Sequence, residues 1–289
     1  MKHIDIFKAC TDLGVHVVGA QLGPDELTKN LNNSNINTIH TIKYENITKE
    51  FDKNNKRKNL PAVNDFNERL YNTIIESLNN DKFPITIGGD HSFAIASGLA
   101  SISKHSKLGV IWFDAHGDYN TFDTTISGNI HGLPLAVLDN YEKRELATFH
   151  KGNFYSPKNT VIVGARDIDP LEAENLKEAG VTIFTTEDVQ NSGADIITKK
   201  AFEIATDGTN GVHVSFDLDL IDPKIAPGVS IPAVNGINLD EAYTMVKEII
   251  KKKDVVKSID LVEYNPERDI DNKTKIIALN ILNKFLNNF

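Results

Sequence analysis

Apolar positions along this chain follow two rhythms. Short runs of β-branched and aromatic residues alternate with longer stretches in which apolar side chains return every three or four residues. The runs lie at Pro84-Ile85-Thr86-Ile87, Val110-Ile111-Trp112-Phe113, Val161-Ile162-Val163, Val181-Thr182-Ile183-Phe184, Val212-His213-Val214-Ser215-Phe216 and Ile259-Asp260-Leu261-Val262. Each reads as a strand. Residues 3–28 add an apolar start, then Gly14-Val15-His16-Val17-Val18-Gly19 and Gly23-Pro24, which read as strand followed by turn. Phe66, Leu70, Ile74 and Leu78 recur every fourth residue and predict an amphipathic helix over 62–79. Further helices are expected from Phe93 to Ala100, from Leu171 to Ala179, from Leu239 to Lys251 and from Ile276 to Leu286. Gly180 suits the end of the second of these, and Asn238 with Glu241 makes a capping pair at the start of the third. Strands alternating with helices predict an α/β fold whose parallel sheet is covered on both faces. Ligands of such sheets collect at the C-terminal strand ends.

From Lys29 to Asn59 the chain is polar and asparagine-rich, ending in the charge run 52–59. That run reads as a solvated loop or edge excursion with no binding role. The 289 residues contain no Pro-, Gly- or Ser-rich linker, so the chain 1–289 is expected to be a single domain. A net charge of −9 without a basic stripe argues against nucleic acid as a partner. Cys10 is the only cysteine, which excludes an internal disulfide and a cysteine metal cage. No run approaches membrane-spanning length, and Met1-Lys2-His3-Ile4-Asp5 carries no secretory apolar region. A cytoplasmic enzyme or binding protein acting on a small molecule, away from membranes, is the expectation.

The polar residues at the strand ends change the picture most. After Phe113 come Asp114, His116 and Asp118 at alternate positions. By themselves they fit either a polar loop or a divalent cation that offsets the buried carboxylates. His91 follows another strand through the Gly88-Gly89 turn, and Asp217 and Asp219 end a third in Ser215-Phe216-Asp217-Leu218-Asp219-Leu220-Ile221-Asp222-Pro223. In an extended chain alternate side chains share a face, so these two aspartates are expected to point the same way. Two imidazoles and four carboxylates exceed what one tetrahedral zinc takes, and the oxygen-rich set suits Mn²⁺. Two ions about 3.5–4 Å apart, bridged by shared carboxylates, would use all six, with a bridging hydroxide as nucleophile.

These motifs resemble the ureohydrolase family, and within it the arginases. Gly-Gly-Asp-His-Ser at 88–92, Asp-Ala-His-x-Asp at 114–118 and Ser-Phe-Asp-x-Asp-x-x-Asp-Pro at 215–223 are similar to that family's three metal motifs, and the resemblance spans about Gly14 to Asn280. It implies a three-layer α/β/α fold with an eight-stranded parallel sheet and two Mn²⁺ per chain. By the same resemblance Asp114 and Asp217 bridge the ions, His91 and Asp118 complete one, and His116 and Asp219 the other. Ser127-Gly128-Asn129-Ile130-His131-Gly132 resembles the arginase substrate loop. Asn120, Ser127 and Asn129 then hold an α-carboxylate and His131 shuttles protons. Asp169 and Glu172 lie near the α-ammonium group, and Glu263 faces the guanidinium. Hydrolysis of L-arginine to L-ornithine and urea is the implied activity, in a cytoplasmic trimer or hexamer.

One departure stands out. Gly228-Val229-Ser230-Ile231-Pro232 replaces the Gly-Thr-Gly-Thr-Pro that arginases commonly carry, leaving Ser230 as the loop's only side-chain hydroxyl. The alternatives are a formimidoylglutamase, an agmatinase, another guanidino-acid hydrolase, or a non-catalytic metal-binding relative. Carboxylate-binding groups in the Ser-Gly-Asn-x-His-Gly loop argue against agmatine. An intact set of six ligands argues against a non-catalytic protein.

Overall fold

The computed structural model describes residues 3–45, 47–50, 52, 54–142 and 145–289. Its strands are β1 (Ile4–Cys10), β2 (Ile36–Lys43), β3 (Phe83–Gly88), β4 (Gly109–Phe113), β5 (Thr160–Ala165), β6 (Thr182–Thr185), β7 (Val212–Asp217) and β8 (Val256–Val262). Between them run α1 (Gly23–Thr28), α2 (Leu60–Asn79), α3 (Ala94–His105), α4 (Pro134–Leu138), α5 (Pro170–Ala179), α6 (Thr186–Ser192), α7 (Ala194–Thr206), α8 (Leu239–Lys251) and α9 (Lys273–Leu286). The eight strands form one sheet in the order β2-β1-β3-β8-β7-β4-β5-β6, and every neighbouring pair is parallel.

The continuous apolar runs follow from this architecture. All of β4 is buried, with Val110 and Trp112 in one core and Ile111 and Phe113 in the other. A strand covered on both faces has no polar side, so its sequence does not alternate. One core packs the sheet against α2, α3 and α4 through Phe66, Leu70, Ile95, Leu99 and Leu138. The opposite core packs it against α7, α8 and α9 through Ile197, Phe202, Met245, Ile249, Ile281 and Phe285. The result is the α/β/α layering expected from the sequence. None of the described helices is long and apolar enough to cross a membrane.

The expected strands and helices are all present, most of them a few residues longer than the sequence pattern marks. Gly180 closes α5 at φ 80, and the Asn238–Glu241 capping box starts α8. The polar stretch 29–59 differs from expectation, because β2 lies inside it. This strand sits at the sheet's edge and buries little, Ile42 being its only buried residue, so it lacks an apolar signature.

The four central strands decide where chemistry can occur. β3, β8, β7 and β4 are contiguous, and their C-terminal ends open toward the same edge of the sheet. His91 follows β3 and Asp114 follows β4, while Asp217 ends β7 and Glu263 follows β8.

Candidate metal centre and active site

Five of the six expected ligands are almost completely buried, and His116 is partly so. Around His91 Nδ1 stand Asp114 Oδ2 at 3.0 Å, Asp118 Oδ2 at 3.1 Å and Asp217 Oδ2 at 3.0 Å. A second group forms about His116 Nδ1, with Asp219 Oδ2 at 3.0 Å and Asp114 Oδ1 at 3.4 Å. Asp114 therefore turns one oxygen to each group. Asp217 Oδ2 stands in the first group, and its other oxygen accepts the Asp219 N–H at 2.8 Å.

The arrangement of Asp217 and Asp219 has a different cause from the one the sequence suggested. Only Asp217 belongs to β7; Asp219 lies in a 3-10 turn over Leu218–Leu220, capped by the Asp217 carboxylate. Strand alternation does not align the pair. The turn brings both carboxylates to the sheet edge instead.

One imidazole nitrogen carries at most one proton, yet three carboxylate oxygens crowd His91 Nδ1. His91 Nδ1, Asp114 Oδ2 and Asp118 Oδ2 are all buried without a hydrogen-bond partner. Orphaned buried polar atoms of this kind are costly unless something else satisfies them. Burial and the charges of Asp219 and Asp114 push the Asp217 carboxyl well above the usual range. Burial would lower the basicity of His91, but its three carboxylate neighbours outweigh that and raise it well above normal. A pair of divalent cations would relieve both the repulsion and the orphaned atoms, so the donor set fits.

Surrounding groups fix the ligands' orientation. His91 Nε2 lies 2.7 Å from Ser215 Oγ, and its ring stacks on Trp112 with centroids 4.1 Å apart. Arg166 donates to the carbonyls of Asp219 (2.7 Å), Leu220 (3.1 Å), Ala233 (2.9 Å) and Val234 (3.0 Å), fastening the Asp219 turn to the following loop. Asp90 accepts the Ser92 N–H at 2.9 Å and the Gly14 N–H at 3.1 Å, tying the loop after β1 to the end of β3. Reading the sequence missed these positioning roles. The Asp-x-Ser spacing after Gly88-Gly89 is the cap signal that marks Asp90.

Above the ligands is a cavity of about 260 Å³. His116, Asp118, Asn120, Ser127, Asn129, His131, Asp169 and Glu172 line it, together with His16, Ile126, Asp167 and Ile231, which carried no expected role. Glu263 lies deeper, 2% exposed, and accepts the His91 N–H at 2.8 Å. Its Oε1 is 3.2 Å from His131 Nδ1, while Oε2 is buried without a partner. Burial would raise the Glu263 carboxyl, but the hydrogen bond and charge of His131 hold it below normal. The same pair holds His131 above its ordinary value despite burial. Asp118 and Glu263 both adopt left-handed backbone conformations, at φ 48 and φ 66. Strain of this kind at non-glycine residues concentrates at functional sites.

Asn120 donates to Asp169 Oδ2 at 3.3 Å, and Asn129 Nδ2 lies 2.8 Å from His16 Nδ1. Glu172 is already engaged, because its two oxygens accept the N–H groups of Tyr119 at 2.8 Å and Asp169 at 3.1 Å. Burial pushes its carboxyl up to about 8.

A parallel α/β sheet with imidazoles and carboxylates clustered at its central strand ends presents donors that could hold metal ions. The chain belongs to the arginase family, whose model matches residues 2–287. It is 36% identical over 296 residues to an arginase of Bacillus subtilis, covering 99% of this chain and 98% of that one. An arginase of Bacillus caldovelox is 34% identical over 297 residues, covering 98% and 97%. The crystal structure of an Entamoeba histolytica arginase in complex with L-ornithine superposes with a TM-score of 0.89 at 29% identity, covering 98% of this chain and 99% of that one.

Proposed function

We propose that this hydrolase converts the guanidino group of L-arginine to urea, releasing L-ornithine, with two Mn²⁺ ions per chain. The observation that carries the reading is Asp114, whose two oxygens face two separate His/Asp groups beneath a cavity lined by amide, hydroxyl and carboxylate groups. His91, Asp114, Asp118 and Asp217 would hold one ion, and His116, Asp114 and Asp219 the other, with Asp217 as the second bridge. When bound, such a pair supplies Lewis acidity, making water nucleophilic near neutral pH and offsetting charge that develops at the attacked carbon.

The chain's own side chains divide the remaining work. A guanidinium is a planar fork of N–H donors, and the orphaned Glu263 Oε2 is an acceptor for it. His131, held by Glu263 Oε1, carries a proton to the departing amine. Asn120, Ser127 and Asn129 donate to the α-carboxylate, and Asp169 meets the α-ammonium group. The orientation support from Ser215, Trp112 and Arg166 keeps this constellation rigid. A cytoplasmic homo-oligomer, with the whole chain as one domain, completes the proposal.

Formimidoylglutamase and agmatinase activities are the competing readings. The Val229-Ser230-Ile231 segment departs from the usual arginase loop, and Ile231 lines the cavity. Product release from arginine, agmatine, 4-guanidinobutyrate and formimidoylglutamate by manganese-loaded protein separates them. Urea and ornithine in equal amounts from arginine, faster than any other product, is the expected result. Fastest turnover of another substrate would replace the arginine assignment.

A further inference from the structure

His16 reaches the cavity from the loop after β1, 113 residues before Asn129 in the chain. That loop is held against the site on both sides of the peptide joining Leu13 and Gly14. The Gly14 N–H donates to Asp90 Oδ2 at 3.1 Å, and the Gly14 carbonyl accepts the His131 N–H at 3.1 Å. The Leu13 carbonyl accepts the Asn59 amide at 2.9 Å. Glycine is required for this approach, because a Cβ on Gly14 would stand 2.4 Å from Asp90 Oδ1. The root of the His16 loop is therefore fixed to the segment that carries Asn129 and His131.

The consequence falls on the Asn129 side chain. Its Nδ2 donates to His16 Nδ1 at 2.8 Å, the only hydrogen bond this amide makes among the described residues. Asn129 Oδ1 is buried without a partner, so nothing on the oxygen side selects the orientation of the amide. An amide nitrogen only donates, so the ring meets it with an unprotonated Nδ1. Turning the amide over would set Oδ1 against that lone pair, with no proton to share. His16 thus holds the nitrogen in place, using one of its two N–H groups and leaving the second for a ligand. His16 itself is exposed, so its ring is not part of the core packing.

We infer that His16 is a positioning residue for the carboxylate subsite: by accepting one N–H of Asn129 it fixes which edge of that amide meets the substrate. It thereby favours amino acids carrying an α-carboxylate over their decarboxylated counterparts. The inference rests on the reading of Asn129 as part of that subsite. It adds a residue from a distant loop, outside the Ser-Gly-Asn-x-His-Gly motif.

Ornithine and putrescine are the same diamine with and without the α-carboxylate, which makes them the appropriate probes. Both are titrated calorimetrically into manganese-loaded wild type, His16→Phe, His16→Asn, Asn129→Ala, and His16→Phe combined with Asn129→Ala. Phenylalanine keeps a ring without an acceptor, whereas asparagine can place an acceptor oxygen where Nδ1 stood. His16→Phe is expected to weaken ornithine about fivefold and to leave putrescine within about twofold, while His16→Asn stays within about twofold of wild type for both. Because His16 acts through Asn129, His16→Phe should cost ornithine less than about twofold once Asn129 is alanine. In turnover, KM for arginine should rise about fivefold in His16→Phe with kcat nearly unchanged. Full ornithine affinity in His16→Phe overturns the inference, and so does equal weakening of both diamines. A loss in His16→Asn as large as in His16→Phe, or an undiminished loss in the Asn129→Ala background, overturns it as well. Failure of the underlying subsite reading shows separately, as Asn129→Ala binding ornithine as tightly as wild type does.

Discussion

Asp114→Ala should lower urea release from arginine by at least about a thousandfold, more than Asp219→Ala does. The reason is geometric. Asp114 Oδ2 lies 3.0 Å from His91 Nδ1 and Oδ1 lies 3.4 Å from His116 Nδ1, so its loss removes an oxygen from both groups at once. Asp219 contacts only the second group, through Oδ2 at 3.0 Å from His116. Asp219→Ala should therefore retain one tightly held ion where Asp114→Ala retains neither. Elemental analysis of both variants after dialysis, alongside their turnover, checks the order. Equal manganese retention in the two would show that Asp114 does not serve both positions.

A second large effect is expected in substrate choice. Agmatine lacks the α-carboxylate, so the buried amides of Asn120 and Asn129 would lose that partner, at about 1–3 kcal/mol for each buried group left unpaired. Wild type should then prefer arginine by at least roughly a hundredfold in kcat/KM. Asn129, 4% exposed, lies in the loop whose Ser127 carbonyl accepts a hydrogen bond from Lys58. Asn129→Ala should reduce kcat/KM for arginine by about tenfold or more while leaving the slow agmatine reaction nearly unchanged. Comparable losses on both substrates would place Asn129 outside the carboxylate subsite.

How far the sequence discloses this molecule depends on the range of the interactions involved. β3, β4, β5 and β7 are legible because strands buried on both faces become continuous apolar runs. β2 is not, because an edge strand with one buried residue resembles a polar loop. Residues that follow strands are legible as site candidates, since a parallel sheet gathers its ligands there. That logic singles out His91, Asp114 and His116.

Local rules failed where the chain turned. Asp217 and Asp219 converge through a 3-10 turn, a shape that strand periodicity does not encode. The roles of Glu263 and Arg166 depend on partners far away in sequence. Glu263 Oε1 accepts the N–H of His91, 172 positions away, and Lys58 meets Ser127 across 69. Such contacts exist only after the sheet has ordered β3 beside β8 and α2 beside the substrate loop. The left-handed backbone of Glu263 is equally silent in the sequence, because glutamate has no preference for it.

Metal removal and reloading tests the central claim most directly. Protein stripped with a chelator should release no measurable urea from arginine, and activity should return in proportion to manganese, reaching its plateau at two ions per chain. Full urea release by the stripped protein would contradict the account, and so would a plateau at a single ion.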